Sequence, residues 1–166
     1  MVVRVMQMRI SLTTDEQFTC HEAAVALAKA NTDYWTTRAG NYTKDKSLHE
    51  LIAQDAESVG SEWAVAKYMN KPFNPFEEKG KRKADVGEDI EVRWTKYEGG
   101  QLIVHEYDRA SDIAVLVTGK SGNYFIAGWI PVAVARNPRY RSSSQPNWWV
   151  SQINLQPIEN LRKTNG

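Results

Sequence analysis

Polar and apolar positions alternate without a break from residue 89 to residue 94. Asp89, Glu91 and Arg93 take one parity; Ile90, Val92 and Trp94 take the other. A period of two predicts a β-strand with two unlike faces. One face can enter a core, while the other sets two acids beside a permanent cation. Further short apolar runs predict strands at 101–107, 113–118, 124–130 and 148–153. The segment before residue 13, carrying Arg4 and Arg9, reads as another. Glu98-Gly99-Gly100 and Gly119-Lys120-Ser121-Gly122-Asn123 supply turn chemistry between strands.

A longer period governs two other stretches. Thr13-Thr14-Asp15-Glu16 places hydroxyl caps and then acids where a helix dipole favours them. Phe18, His21, Val25 and Ala28 follow at helical spacing as a plausible inner stripe, and the helix should stop near Asn31. A second helix is predicted over 47–69, with Leu48, Leu51, Ile52, Val59, Trp63 and Ala66 along one stripe and a bend or split at Gly60-Ser61. Glu62 sits beside that stripe. It can point toward a neighbouring sheet or remain a surface acid of an amphipathic helix. Residues 32–46 show no clear period, 70–83 read as an exposed loop, and Pro131 opens a short helix to 136. A basic, Ser-rich loop at 137–146 and a tail of short helix and disorder after Pro157 complete the chain. No repeat or second domain is visible. The expectation is one α/β domain: an N-terminal strand and helix over 1–46, a core over 47–157 and a tail over 158–166.

Composition narrows the picture. A chain of 166 residues suits one domain with a sizeable core. Hydrophobic residues at 42% and charged residues at 25% fit an ordinary soluble globular protein. A net charge of +1 provides no global field toward nucleic acid, so any such binding must come from local patches. The single Cys20 excludes an internal disulfide, fits a reducing cytoplasm and reads as a buried structural thiol. No signal peptide or membrane span is evident. His21-Glu22, His49-Glu50 and His105-Glu106 do not extend to a zinc pattern. Gly119-Lys120-Ser121 lacks the upstream glycine of a phosphate loop.

The acids Asp85, Glu88, Asp89 and Glu91 can be held together by a hard cation such as Mg²⁺, which prefers oxygen ligands. A solvated edge strand is the other reading of the same residues. Glu62 on a helix, then Asp85, then Glu91-Val92-Arg93 on a strand resembles the metal centre of the PD-(D/E)XK nuclease superfamily. The resemblance covers about 48–131 and is nearest to the small single-domain versions carried by bacteriophages. Two residues depart from the motif: Ala84 precedes Asp85 where Pro is usual, and Arg93 occupies the position usually held by Lys.

The resemblance implies a restriction-endonuclease-like core with a mixed central sheet flanked by helices. It implies a metal site, for Mg²⁺ or Mn²⁺, formed by Asp85, Glu91, the carbonyl of Val92 and, directly or through water, Glu62. Arg93 can grip phosphate but cannot act as a base near neutral pH, because it does not lose its proton. A salt bridge to Glu91 or Asp89 is its other reading. Lys79, Lys81, Arg82 and Lys83 precede the acidic centre, and Arg136, Arg139 and Arg141 lie in the later loop. Both segments are candidate phosphate contacts or solvated charge runs. Trp148-Trp149 offers base stacking, with one ring filling core. The expected function is metal-dependent hydrolysis of DNA in the cytoplasm, the host's if the protein is phage-encoded, with DNA as partner and no membrane. A homodimer stays open. The alternative is a non-catalytic nucleic-acid-binding or assembly protein that keeps the nuclease fold.

Overall fold

The computed structural model describes residues 8–31, 45–77 and 83–161. The elements, in order, are β1 (Met8–Ser11), α1 (Thr14–Ala30), α2 (Leu48–Tyr68), β2 (Ile90–Thr95), β3 (Leu102–His105), β4 (Ile113–Lys120), β5 (Asn123–Pro131), α3 (Val132–Ala135) and β6 (Asn147–Val150), with three 3₁₀ turns after α3. The fold is α/β with a mixed central sheet. Its strand order is β1-β5-β4-β2, and β3 and β6 form a separate two-stranded sheet.

Both long helices begin where their capping chemistry lies. Thr13 accepts from the Glu16 amide, and the Glu16 carboxylate accepts from the Thr13 amide. Ser47 and Glu50 repeat the arrangement at α2. Each box satisfies two amides that a helix start would otherwise leave open. Along α1 the buried face is Cys20, Ala23 and Ala24, not the expected stripe: Phe18 is 65% exposed and His21 is exposed. Small residues win that face because α1 packs closely on α2, where bulk would hold the helices apart. α2 runs unbroken through Gly60-Ser61. Gly60 serves a close approach, since a Cβ there would run into the Tyr124 hydroxyl.

The central sheet separates two cores. On one face Ala64 and Val65 of α2 and Met69 at its C-cap meet Ile90 and Val92 of β2, Val115 and Val117 of β4, and Tyr124 and Ile126 of β5. On the other face Ala114, Leu116 and Ile130 meet Leu102, Val104 and Val150 of the small sheet and Val132 and Ala135 of α3. β2 runs parallel to β4, with Glu91 opposite Ala114 and Arg93 opposite Leu116. Glu91 and Arg93 therefore face the small sheet, and Ile90 and Val92 face α2, as the alternation in the sequence requires. The β4–β5 pairing shifts register between Leu116 and Val117, so β5 carries one extra residue there. The expected strand at 101–107 is shorter and lies outside the central sheet, paired antiparallel with β6. The short helix after Pro131 and the 119–123 hairpin turn occur as the sequence indicates, with Gly119 and Gly122 at positive φ.

Candidate functional site

β2 is the last strand of its sheet, and one side of its backbone faces away from β4. Ile90 exchanges both of its main-chain hydrogen bonds with Val86, across a tight turn built on Gly87 at φ +60°. Two residues on, backbone groups point the same way. The Val92 amide accordingly donates to Asp85 Oδ2 at 2.8 Å, and the Val92 carbonyl faces the same edge. The Lys71 side chain lies across this turn: a Cβ on Gly87 would meet its Nζ at 3.0 Å.

Asp85 and Glu91 are brought together, their carboxyl groups close enough to share a hydrogen bond. Burial, and then the Asp85 charge, push the Glu91 carboxyl up to about 8, with Asp112 adding to the rise and Arg93 opposing it. Two neighbouring oxygens that resist sharing negative charge form a donor set that a cation would relieve.

Arg93 is committed within the protein. Its Nε donates to the Ile103 carbonyl at 3.2 Å, one terminal nitrogen to Asp108 at 2.5 Å, and the other approaches Glu91 at 3.5 Å. The side chains of Arg93 and Asp108 are 23% and 5% exposed. Asp108 also accepts from the His105 amide at 2.8 Å. Arg93 therefore ties β2 to the small sheet and to the turn after it. The expected salt bridge to Glu91 is present but long; the short one, to Asp108, has no signal in local spacing.

Glu62 does not join the pair. It lies on α2, which packs against the opposite face of the sheet from Glu91. There it lines a hollow of about 760 Å³ with Ala23, Leu27, Val59, Phe73 and Phe76. Helix periodicity placed Glu62 next to the buried stripe; it could not say that the neighbour would be α1 rather than the strand carrying Glu91. Among the described residues, no three His, Cys, Asp or Glu side chains are grouped to hold a metal ion.

The basic candidates divide similarly. Lys79, Lys81 and Arg82 lie outside the described residues, and Lys83 pairs with Glu77. Arg136 donates to the backbone carbonyls of His105 at 2.9 Å, Glu106 at 3.1 Å and Asp108, so it fastens the turn that carries Asp108. Arg139 stacks on Tyr140 and reaches Asn154, while Arg141 stacks on Trp148 and reaches Glu106. Both remain exposed. Trp148 packs against the second core, as one of the two tryptophans was expected to.

Three residues missing from the sequence reading stand at this centre. Asp108, Arg109 and Asp112 share the turn before β4, where acids and cations normally read as surface. Asp112 is nearly inaccessible, at 1% exposure, and accepts from Arg109 Nε at 2.9 Å. Arg109 also donates to the Glu88 carbonyl at 3.1 Å. The usable signal was the count of acids in Asp108-Arg109-Ala110-Ser111-Asp112, directly before an apolar strand.

No family model, no curated protein and no solved structure matches this chain. Among the described residues, no helix is long and apolar enough to cross a membrane.

Proposed function

We propose that this protein is a divalent-metal-dependent deoxyribonuclease whose metal is held by Asp85, Glu91 and the Val92 carbonyl. The observation that supports the reading is the pairing of the Asp85 and Glu91 carboxyl groups, with Asp85 fixed by the Val92 amide at the free edge of β2. The donor set suits Mg²⁺ or Mn²⁺, which are ordinarily held by one or two carboxylates, with waters and substrate phosphate in the remaining positions. Bound there, such a cation supplies an activated water and draws charge from phosphoryl oxygens. The chain's own residues do the rest. The Val92 amide fixes the Asp85 carboxylate, the Gly87 turn holds Asp85 against β2, and Arg93 with Asp108 locks the strand carrying Glu91. Arg139 and Arg141 leave exposed cationic surface for a phosphate backbone.

A second reading rests on Arg93. Its guanidinium is taken up by Asp108 and Ile103, so the position usually occupied by a catalytic Lys performs a structural task. That favours a non-catalytic nucleic-acid-binding or assembly protein. Calorimetric titration with Mn²⁺, paired with cleavage assays on single- and double-stranded DNA, separates the two readings. The nuclease reading expects one Mn²⁺ site and cleavage, both lost in Asp85→Ala. DNA binding without cleavage under any metal selects the second reading, and cleavage undiminished in Asp85→Ala removes the proposed centre.

A further inference from the structure

The small sheet has a second face that neither core uses. Its residue pairs alternate: Leu102–Val150 and Val104–Trp148 point into the second core, so Ile103–Trp149 and His105–Asn147 point away from it. Among the described residues, Ile103 and Trp149 pack against neither core, and both are half-buried. Trp149 Nε1 donates to Asn147 Oδ1 at 2.7 Å, which tips the indole toward the position opposite His105. That bond takes up its N–H, and the flat ring is what it offers a ligand. His105 lies flat on Tyr107, with centroids 4.9 Å apart and planes 5° from parallel, and Tyr107 is 68% exposed. Burial, and then the Arg93 charge, lower the His105 pKa, so that ring is neutral near pH 7. Cations border the rings. Residues 141 and 142 run along the free side of β6, where Arg141 bridges to Trp148 and the Ser142 amide donates to the Asn147 carbonyl at 2.9 Å. Arg139 and Arg141 are exposed on this segment. The Arg141–Glu106 pair spans 3.4 Å between side chains 40% and 60% exposed, a contact of little worth that a phosphate can replace.

We propose that the outer face of the small sheet binds single-stranded DNA, with Trp149 and Tyr107 stacking on its bases and Arg139 and Arg141 holding its phosphates. The inference rests on nucleic acid as the partner, which both readings above share, and it names the form of the strand. Uncharged rings beside exposed guanidinium groups match a ligand with flat apolar faces strung on an anionic chain. A duplex keeps its base faces stacked on one another, so it can meet the arginines but not the rings. On its other side β3 is tied by Arg93, through the Ile103 carbonyl, to the strand that carries Glu91. The stacking face is therefore braced against the acidic centre and does not overlap it.

The test uses the full chain in chelator, so that neither cleavage nor a metal enters, and reads the anisotropy of a labelled oligothymidylate. Trp149→Ala and Tyr107→Ala should each weaken binding about 10-fold or more, the scale of one lost stacking ring. Neither should change the slope of log affinity against log salt, because no charge is removed. Arg139→Gln should lower that slope by about 0.7, as for one phosphate contact on a single strand. Trp149→Phe should recover most of the affinity. Tyr107 is exposed, so Tyr107→Ala tests the face even if Trp149→Ala does not fold. An abasic strand of equal length should bind more weakly, and equally to wild type and Tyr107→Ala. Wild-type affinity in Tyr107→Ala and Trp149→Ala, or an abasic strand held as tightly as the oligothymidylate, overturns the inference. So does an equal loss of duplex binding in these variants, which would mean that the rings support the fold and not the bases. An oligouridylate bound more than about 10-fold tighter overturns the assignment to DNA in favour of RNA. If wild type binds no single strand, the inference falls alone, and Mn²⁺ titration with duplex cleavage still decides the nuclease reading.

Discussion

Removing Asp108 should expose how much the joint between the two sheets depends on one ion pair. Asp108→Ala leaves the Arg93 guanidinium, 23% exposed, with the Ile103 carbonyl and a Glu91 oxygen at 3.5 Å. Breaking a buried pair by deleting one partner costs roughly 3–5 kcal/mol. Partial access of water to Arg93 argues for the lower end, about 3 kcal/mol. The orphaned His105 amide adds about 1 kcal/mol or more if water does not reach it. For a chain of this length, 1 kcal/mol is worth about 2–4 °C in Tm, so the loss should be roughly 6–12 °C or slightly more. Equilibrium urea unfolding would measure it, with Arg93→Met and the double variant completing a cycle. Arg93→Met alone should also be costly, since it strands Asp108. The double variant should be more stable than the sum of the two losses predicts, by about 2 kcal/mol, because neither charge is then left buried alone. Strict additivity, or a loss below about 1 kcal/mol in Asp108→Ala, would refute the description of this pair as a structural joint.

Two further outcomes follow from the same geometry. Glu91 is pushed up to about 8 in the folded chain, above the ordinary 4.5, so the folded state holds a proton that the unfolded state has released between those values. Its contribution to stability is therefore full below about 4.5 and gone once pH has risen past about 8; without divalent metal, Tm should fall over that window, and Glu91→Gln should flatten the fall. An identical pH profile in the variant would show that Glu91 does not carry the effect. Gly60→Ala should destabilise the protein by about 1–3 kcal/mol in chemical unfolding despite alanine's better helix propensity, because its methyl meets the Tyr124 ring and hydroxyl; a gain in stability would contradict that packing.

The elements with local signals were legible in the chain. The caps and acids of Thr13-Thr14-Asp15-Glu16 and the apolar stripe from Leu48 to Ala66 announced the two long helices, and the alternation of Ile90, Val92 and Trp94 against Glu91 and Arg93 set the faces of β2. The adjacency of Asp85 and Glu91 also followed, since a turn and a strand start can bring them together without help from distant parts of the chain. What failed was whatever depended on which surfaces meet. Glu62 needed to know the face of the sheet on which α2 packs. The buried stripe of α1 needed the closeness of α2, which selected Ala23 and Ala24 over Phe18 and Val25. Asp108 became Arg93's partner only because β3 leaves the central sheet to pair with β6, fifteen residues from Arg93 in the chain but folded back over it.

The placement of β1 against β5 has a consequence for synthesis. Arg9 and Asn123, which bond across that pair, stand 114 residues apart in sequence. At roughly 5–20 residues per second, a ribosome adds the partner roughly 6–23 s after β1 is made. During that interval α1 and α2, joined by their own connection, already have each other to pack against, while β1 has an unpaired edge and no sheet to join. Among the described residues, the first strand is thus dependent on the fifth. A nascent chain stalled before residue 123 would present that edge to whatever else in the cell can pair with it.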